Sequence, residues 1–204
     1  MFDFLLVAVA RFDALFGSDS GPSTEELMGR YVDGDTLAFE QLYHRISPKL
    51  YGYLMRLTRK PERAEDLVQI TFAKVHRARA GYLRGAPVVP WILAIGRRSF
   101  LDEVRRTKSR AEDLSSDGRV PEPPPESPLV DLDLAEALEQ ALSKLPAAYA
   151  EAIQLLKVTG LSVRDAADVL GTTESAVKLR AHRGYTLLRK ELGAYSRLSE
   201  SIPS

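Results

Sequence analysis

The chain reads as an all-α protein: two small helical domains joined by an acidic, proline-rich linker, the second domain carrying a helix-turn-helix. Three observations predict this class. Apolar residues recur at three- and four-residue intervals along most of the sequence, the period of an amphipathic helix. Five prolines fall between Pro121 and Pro128 among acidic and small residues, a composition that cannot bury a core and favours extended, solvated chain. Ala167, Gly171 and Val177 stand at the spacing of two short helices crossing at a tight turn.

Composition narrows the class further. A length of 204 residues suits one large or two small domains. There is no cysteine, which excludes disulfides and thiolate metal sites and suits a reducing cytoplasm. His44, His76 and His182 are far apart and share no ligand-like spacing, so no metal and no cofactor is expected. The formal net charge of +0 hides a strong pattern. Residues 24–110 carry 17 Lys/Arg against 10 Asp/Glu, residues 111–141 carry 1 against 9, and residues 142–193 carry 8 against 5. Two basic blocks therefore flank an acidic connector. Basic blocks favour polyanionic partners, although solvated helix faces are also rich in Lys and Arg.

The elements follow in order. Residues 1–23 form an N-terminal extension. Leu5, Val9, Phe12 and Phe16 suit an amphipathic helix, too short and too charged to span a bilayer and without the basic start and cleavage site of a signal peptide. That stretch reads equally as a loose tail or as a packing element, and Gly17–Ser23 reads as flexible linker. Residues 24–110 form the first helical domain. A short helix starts at Thr24 and ends near Gly34. Asp35 caps the next, with Phe39, Leu42, Tyr43 and Ile46 as its stripe. Pro48 marks a break or kink before Leu50, Tyr53, Leu54 and Leu57 resume the pattern. Pro61 opens a third helix to about Arg79, striped by Ala64, Leu67, Val68, Phe72 and Val75. A glycine-rich loop leads to Pro90, which opens a fourth helix to about Thr107. Residues 111–130 are the linker. Residues 131–193 form the second domain, with helices at about Asp131–Leu145, Ala147–Thr159, Val163–Leu170 and Glu174–Arg189, and residues 194–204 are a tail.

The last two helices carry the sharpest signal. Ser162 can cap the first of them, and Ala167 is small where the helices cross. Gly171 can adopt the left-handed conformation that ends a helix without a Cβ penalty. Val177 anchors the second helix inward, leaving Ser175, Lys178, Arg180, His182 and Arg183 on other faces. A basic helix presented this way fits the major groove of DNA, and an ordinary helical hairpin with a solvated basic face is the competing reading. In the first domain Asp66 and Gln69 share a helix face beside Leu67 and Phe72. On the residues alone, a solvated helix surface is the better account of that pair. The fourth helix is densely basic at Arg97, Arg98, Arg105, Arg106, Lys108 and Arg110. Trp91 precedes them and suits core packing more than base stacking. Arg and aromatic groups together suit partly single-stranded nucleic acid.

These residues carry a family resemblance. The run Ala64-Glu65-Asp66-Leu67-Val68-Gln69-Ile70-Thr71-Phe72-Ala73-Lys74-Val75 resembles the core-polymerase-binding helix of the bacterial extracytoplasmic-function (ECF) sigma factors of the sigma-70 family. Pro90-Trp91-Ile92-Leu93-Ala94-Ile95 with Asp102-Glu103-Val104-Arg105-Arg106 resembles the −10 recognition helix, and Leu145-Pro146 with Leu161 through Arg189 resembles the −35 reader. The resemblance spans about residues 24–193 in the family's order. It departs at Arg98, where the family usually has asparagine, and at Asp165-Ala166-Ala167, where it usually has glutamate-isoleucine-alanine. It departs again at Leu179, where a small residue is usual, and at Tyr185, where arginine is common.

The resemblance implies a non-enzymatic initiation factor that binds core RNA polymerase, recognises −10 and −35 promoter elements and helps melt the DNA. By position, Asp66, Gln69 and Phe72 are implied to dock on the polymerase. Arg97, Arg98, Arg105 and Arg106 are implied to hold the −10 DNA, and the loop Tyr82–Val89 to receive an extruded base. Ser175, Lys178, Arg180 and Arg183 are implied to meet the −35 duplex. The family also implies an anti-sigma partner, often membrane-bound, and a cytoplasmic location. The acidic linker is expected to thread a positively charged polymerase channel. The rival reading is a helix-turn-helix transcriptional regulator with a helical sensor or dimerisation domain. An enzyme acting on nucleic acid finds no clustered site among these residues.

Overall fold

A computed structural model describes residues 21–114 and 141–199. The amphipathic extension, most of the acidic linker, most of the helix expected at Asp131–Leu145 and the last five residues lie outside the described residues. All regular structure among the described residues is helical. None of these helices is long and apolar enough to cross a membrane.

Helix α1 (Thr24–Val32) opens on a reciprocal cap: the Ser23 hydroxyl accepts from the Glu26 amide, and the Glu26 carboxylate accepts from the Ser23 amide. Helix α2 (Thr36–Thr58) starts with the Asp35 carboxylate accepting from the Ala38 amide at 3.1 Å. It runs through Pro48 as one helix, so of the break or kink expected there, the break does not occur. Leu42 and Ile46 before the proline and Leu50 and Leu54 after it are all buried on one face, so packing on both sides holds the helix together. Arg59, left-handed at φ 53°, turns the chain out of α2.

Helix α3 (Pro61–Ala78) begins with proline at its first position, where no amide partner is lost, and ends in a single 3₁₀ turn, Arg79–Gly81. Helix α4 (Val88–Leu114) starts two residues before Pro90, because the Glu25 carboxylate of α1 accepts from the Val88 amide at 3.0 Å. It continues past Thr107, four residues into the expected linker, since no Gly or Pro stands between Lys108 and Leu114. Leu27, Met28, Leu42, Leu50, Leu54, Leu67, Ile92 and Leu93 make the core that these four helices enclose.

In the second half, α5 (Ala147–Ile153) passes into one π-helical turn, Gln154–Val158. Then come α6 (Val163–Leu170) and α7 (Glu174–Ser199), the latter extending beyond Arg189 into the expected tail. Val177, Ala181, Gly184 and Leu188 recur at helical spacing as the buried stripe of α7. Gly184 is where α7 meets α5: a Cβ there would lie 2.6 Å from Ile153 Cδ1 and 3.3 Å from Tyr149 Cβ.

The two halves pack on each other, which a reading as two tethered domains does not anticipate. Leu155, Ala166, Ala167, Val169 and Leu170 belong to the same buried cluster as the first four helices. Helix α6 packs against both α4 and α7. Its buried residues Ala166, Ala167, Val169 and Leu170 form one wide apolar face that both neighbours share.

Candidate nucleic-acid interface

The helix-turn-helix is built as its residues require. The Ser162 hydroxyl accepts from the Asp165 amide at 3.1 Å and starts α6. Gly171 ends it at φ 62°, with the Thr172 amide donating to the Ala167 carbonyl and the Gly171 amide to the Asp168 carbonyl, a Schellman closure. The Thr173 hydroxyl accepts from the Ala176 amide and starts α7. With Val177 and Ala181 turned inward, Ser175, Lys178, Leu179, His182 and Arg183 form one exposed stripe. Arg180 lies at its flank, half-buried. Lys178 reaches Glu174 at 4.0 Å, a solvated i, i+4 pair that costs little to exchange for a phosphate. Of the two departures on this helix, Leu179 is outward and 49% exposed, while Tyr185 packs inward on the cluster around Leu145 and Leu188.

On α4, Arg98, Arg105 and Arg106 are exposed. Arg98 folds back to donate to the Ala94 carbonyl at 3.1 Å, and Arg105 lies 3.5 Å from Asp102. Arg97 has a different environment. Its Nε donates to Glu151 Oε1 of α5 at 2.8 Å, and the Tyr53 hydroxyl donates to the same oxygen at 2.7 Å. The Arg97 and Glu151 side chains are only 20% and 11% exposed. Burial, followed by the charge of Glu151, pushes the Tyr53 hydroxyl well above its usual range, so it remains a donor. Gln154, in the π turn, donates to the Gly52 and Tyr53 carbonyls at 3.3 Å, adding to the same clasp between the halves. Trp91 is half-buried with its ring 5.3 Å from that of Tyr82, in keeping with core packing.

On α3, Asp66 and Gln69 are exposed on one face, and Ile70 beside them is 45% exposed. Phe72 is not on that face. It is buried against Phe39 and Tyr43 and supports the helix from behind. The sequence reading missed Ile70, an apolar residue off the core stripe and next to two polar ones. It also missed Glu151, whose partners stand 54 and 98 residues away.

The loop after α3 is braced by its own hydrogen bonds. The Ala86 amide donates to the Leu83 carbonyl at 3.0 Å, Gly85 takes φ 80°, and the Tyr82 hydroxyl donates to the Ala86 carbonyl. Arg84 pairs with Asp33, and this bond holds the Asp33 carboxyl below its usual range, as Arg30 does for Asp35. A depressed folded-state value means that each pair contributes above the ordinary value of 3.8 and is lost as pH falls through the depressed one. In an NMR titration both carboxyls should titrate below 3.8, and Arg84→Ala should return Asp33 alone to it.

Comparison with known proteins gives this arrangement its family. The family model of Sigma-70 region 2 matches residues 42–111, and that of Sigma-70, region 4 matches residues 135–188. The RNA polymerase sigma factor CarQ of Myxococcus xanthus is 35% identical over 172 residues, covering 81% of this chain and 95% of its own length. The ECF RNA polymerase sigma factor SigM of Mycobacterium tuberculosis is 30% identical over 188 residues, covering 87% and 89%. Among solved structures, the sigma factor RpoE from Bartonella quintana, in complex with the anti-sigma factor NepR, superposes with a TM-score of 0.64 at 30% identity, covering 76% of this chain and 96% of that one. CnrH, in complex with the cytosolic domain of CnrY, shares the fold with a TM-score of 0.61 at 23% identity, covering 83% and 97%. With its helical region 2 and its helix-turn-helix region 4 in one chain, the protein belongs to the extracytoplasmic-function group of the sigma-70 family of RNA polymerase sigma factors.

Proposed function

We propose that this sigma factor meets its partners through three separate surfaces: Asp66, Gln69 and Ile70 toward core RNA polymerase, Arg98, Arg105 and Arg106 toward the −10 DNA, and Ser175, Lys178 and Arg183 toward the −35 duplex. Phe72 supports the first surface, Arg180 flanks the third, and Arg97 joins the second once its bond to Glu151 is broken. The observation that carries this reading is the stripe on α7, exposed and cationic opposite a fully packed inner face. The functional units are residues 24–110 and 131–193, and the chain acts in the cytoplasm by binding, without chemistry of its own.

Geometry adds a condition. In the closed chain α4 and α7 both touch α6, so the two readers lie about two helix spacings, or roughly 20 Å, apart. Promoter elements about 25 base pairs apart span about 85 Å of duplex. The clasp at Arg97, Tyr53 and Glu151 therefore opens before both elements are read, and binding to polymerase supplies the driving force. Two weak readers on one tether then gain by effective concentration. An anti-sigma factor, of the kind bound by RpoE of Bartonella quintana, would act by covering these surfaces.

Purified chain, core polymerase and a promoter library should yield specific run-off transcripts. Absence of both transcripts and core binding would overturn the proposal. Asp66→Ala with Gln69→Ala should weaken core binding by about tenfold, as loss of a central interface contact does, while leaving DNA binding by the free chain unchanged. Equal loss of both activities would argue for misfolding instead.

A further inference from the structure

Leu179 is out of place by its chemistry. It stands near the middle of the exposed stripe of α7, one turn from Ser175 and from Arg183 and next to Lys178, and is 49% exposed. The inner face of the helix already has its apolar complement in Val177, Ala181, Gly184 and Leu188, so Leu179 adds nothing to the core. A stripe made only to hold phosphates has no use for a branched hydrocarbon among its cations. Ser175, Lys178, Leu179 and His182 lie in the first three turns of α7, the part of a recognition helix that reaches base edges.

A leucine side chain has no donor and no acceptor. In the major groove the one base-edge feature it can recognise is the C5-methyl group of thymine. We propose that Leu179 is a specificity-determining residue of the −35 reader, selecting a thymine by its methyl group at one position of the element. This rests on the assignment of the α7 stripe to the −35 duplex. Lys178 and Arg183, on either side, supply the donors for phosphates or guanine edges, and Leu179 supplies the apolar contact between them. The contact is worth about one methyl group of buried surface, so the discrimination it gives is about fourfold.

The test uses the full chain assembled with core polymerase, on promoters with a fixed −10 element and a randomised −35 element. The wild-type holoenzyme should prefer thymine at one position. Leu179→Ala should lose that preference by about fourfold and keep the others. Deoxyuridine in place of that thymine removes only the methyl group. It should cost the wild type the same factor and leave Leu179→Ala unaffected. Leu179 is outside the core, so the variant should melt at the wild-type temperature by circular dichroism. An unchanged base profile in Leu179→Ala, or a wild type indifferent to deoxyuridine at every −35 thymine, overturns the role of Leu179 while leaving the wider assignment standing. A −35 sequence without effect on wild-type run-off overturns both.

Discussion

Glu151→Ala should let the two halves of the free chain come apart. In the closed form one carboxylate oxygen accepts from both Arg97 and Tyr53. Removing it leaves a guanidinium and a hydroxyl facing a void at an interface that is largely out of water. Breaking a fully buried pair costs more than this site should, because Arg97 retains 20% of its exposure. About 2 kcal/mol is a reasonable loss, which lowers the closed-to-open ratio by about thirtyfold. Small-angle scattering should record a larger radius of gyration for Glu151→Ala than for the wild type. The free variant should also bind −10 DNA more tightly, since Arg97 is released. Unchanged scattering together with unchanged DNA binding would mean that the apolar contact of α6 with α4 holds the halves without help from the clasp.

Gly184→Val should disable the second half of the molecule. The first added carbon already meets Ile153 Cδ1 at 2.6 Å and Tyr149 Cβ at 3.3 Å. Two further methyl groups leave α7 no position from which Val177 and Leu188 can both stay buried. Overpacking of this kind costs about 3 kcal/mol, enough to unfold a small helical unit. Hydrogen exchange should show protection lost through α5, α6 and α7 and kept in α1, α2 and α3. Run-off from promoters that need a −35 element should fall to background while core binding survives. Gly184→Ala is milder, because the end of Ile153 can swing aside and alanine gains about 1 kcal/mol of helix propensity over glycine. A Gly184→Val protein with wild-type protection would show that α5 yields at this contact.

The helices were legible wherever a local cause sets them. Asp35, Pro61, Ser162 and Gly171 each act within a turn of their own position, and each start or stop stands where such residues dictate. Distant causes were not legible. The start of α4 depends on Glu25, 63 residues away, and no pattern near Val88 announces it. Pro48 reads as a break or kink because its local cost is real, but the buried stripe on both sides keeps the helix continuous. The site divides in the same way. Lys178 and Arg183 are outward because Val177 is inward, a matter of helical phase. Phe72 belongs to the apolar stripe of its helix and is a docking residue only by the family resemblance, and two aromatic neighbours from α2, Phe39 and Tyr43, claim it for the core. Arg97 and Arg98 are adjacent in sequence and differ only through Glu151, which a one-dimensional pattern cannot supply.

The clasp also bears on how the chain coexists with a chromosome. A cell offers a DNA-binding protein millions of non-specific sites, and charge alone binds it to them. A reader whose competent state is a small fraction of its population has its apparent affinity lowered by that same fraction. If the free chain is open about one hundredth of the time, any binding mode that needs Arg97, or both readers at once, is about a hundredfold weaker. Polymerase-bound chains, held open, escape that reduction. Glu151 would then act as a resident competitor of the nucleic acid phosphate, present at an effective concentration that no stretch of random sequence can match.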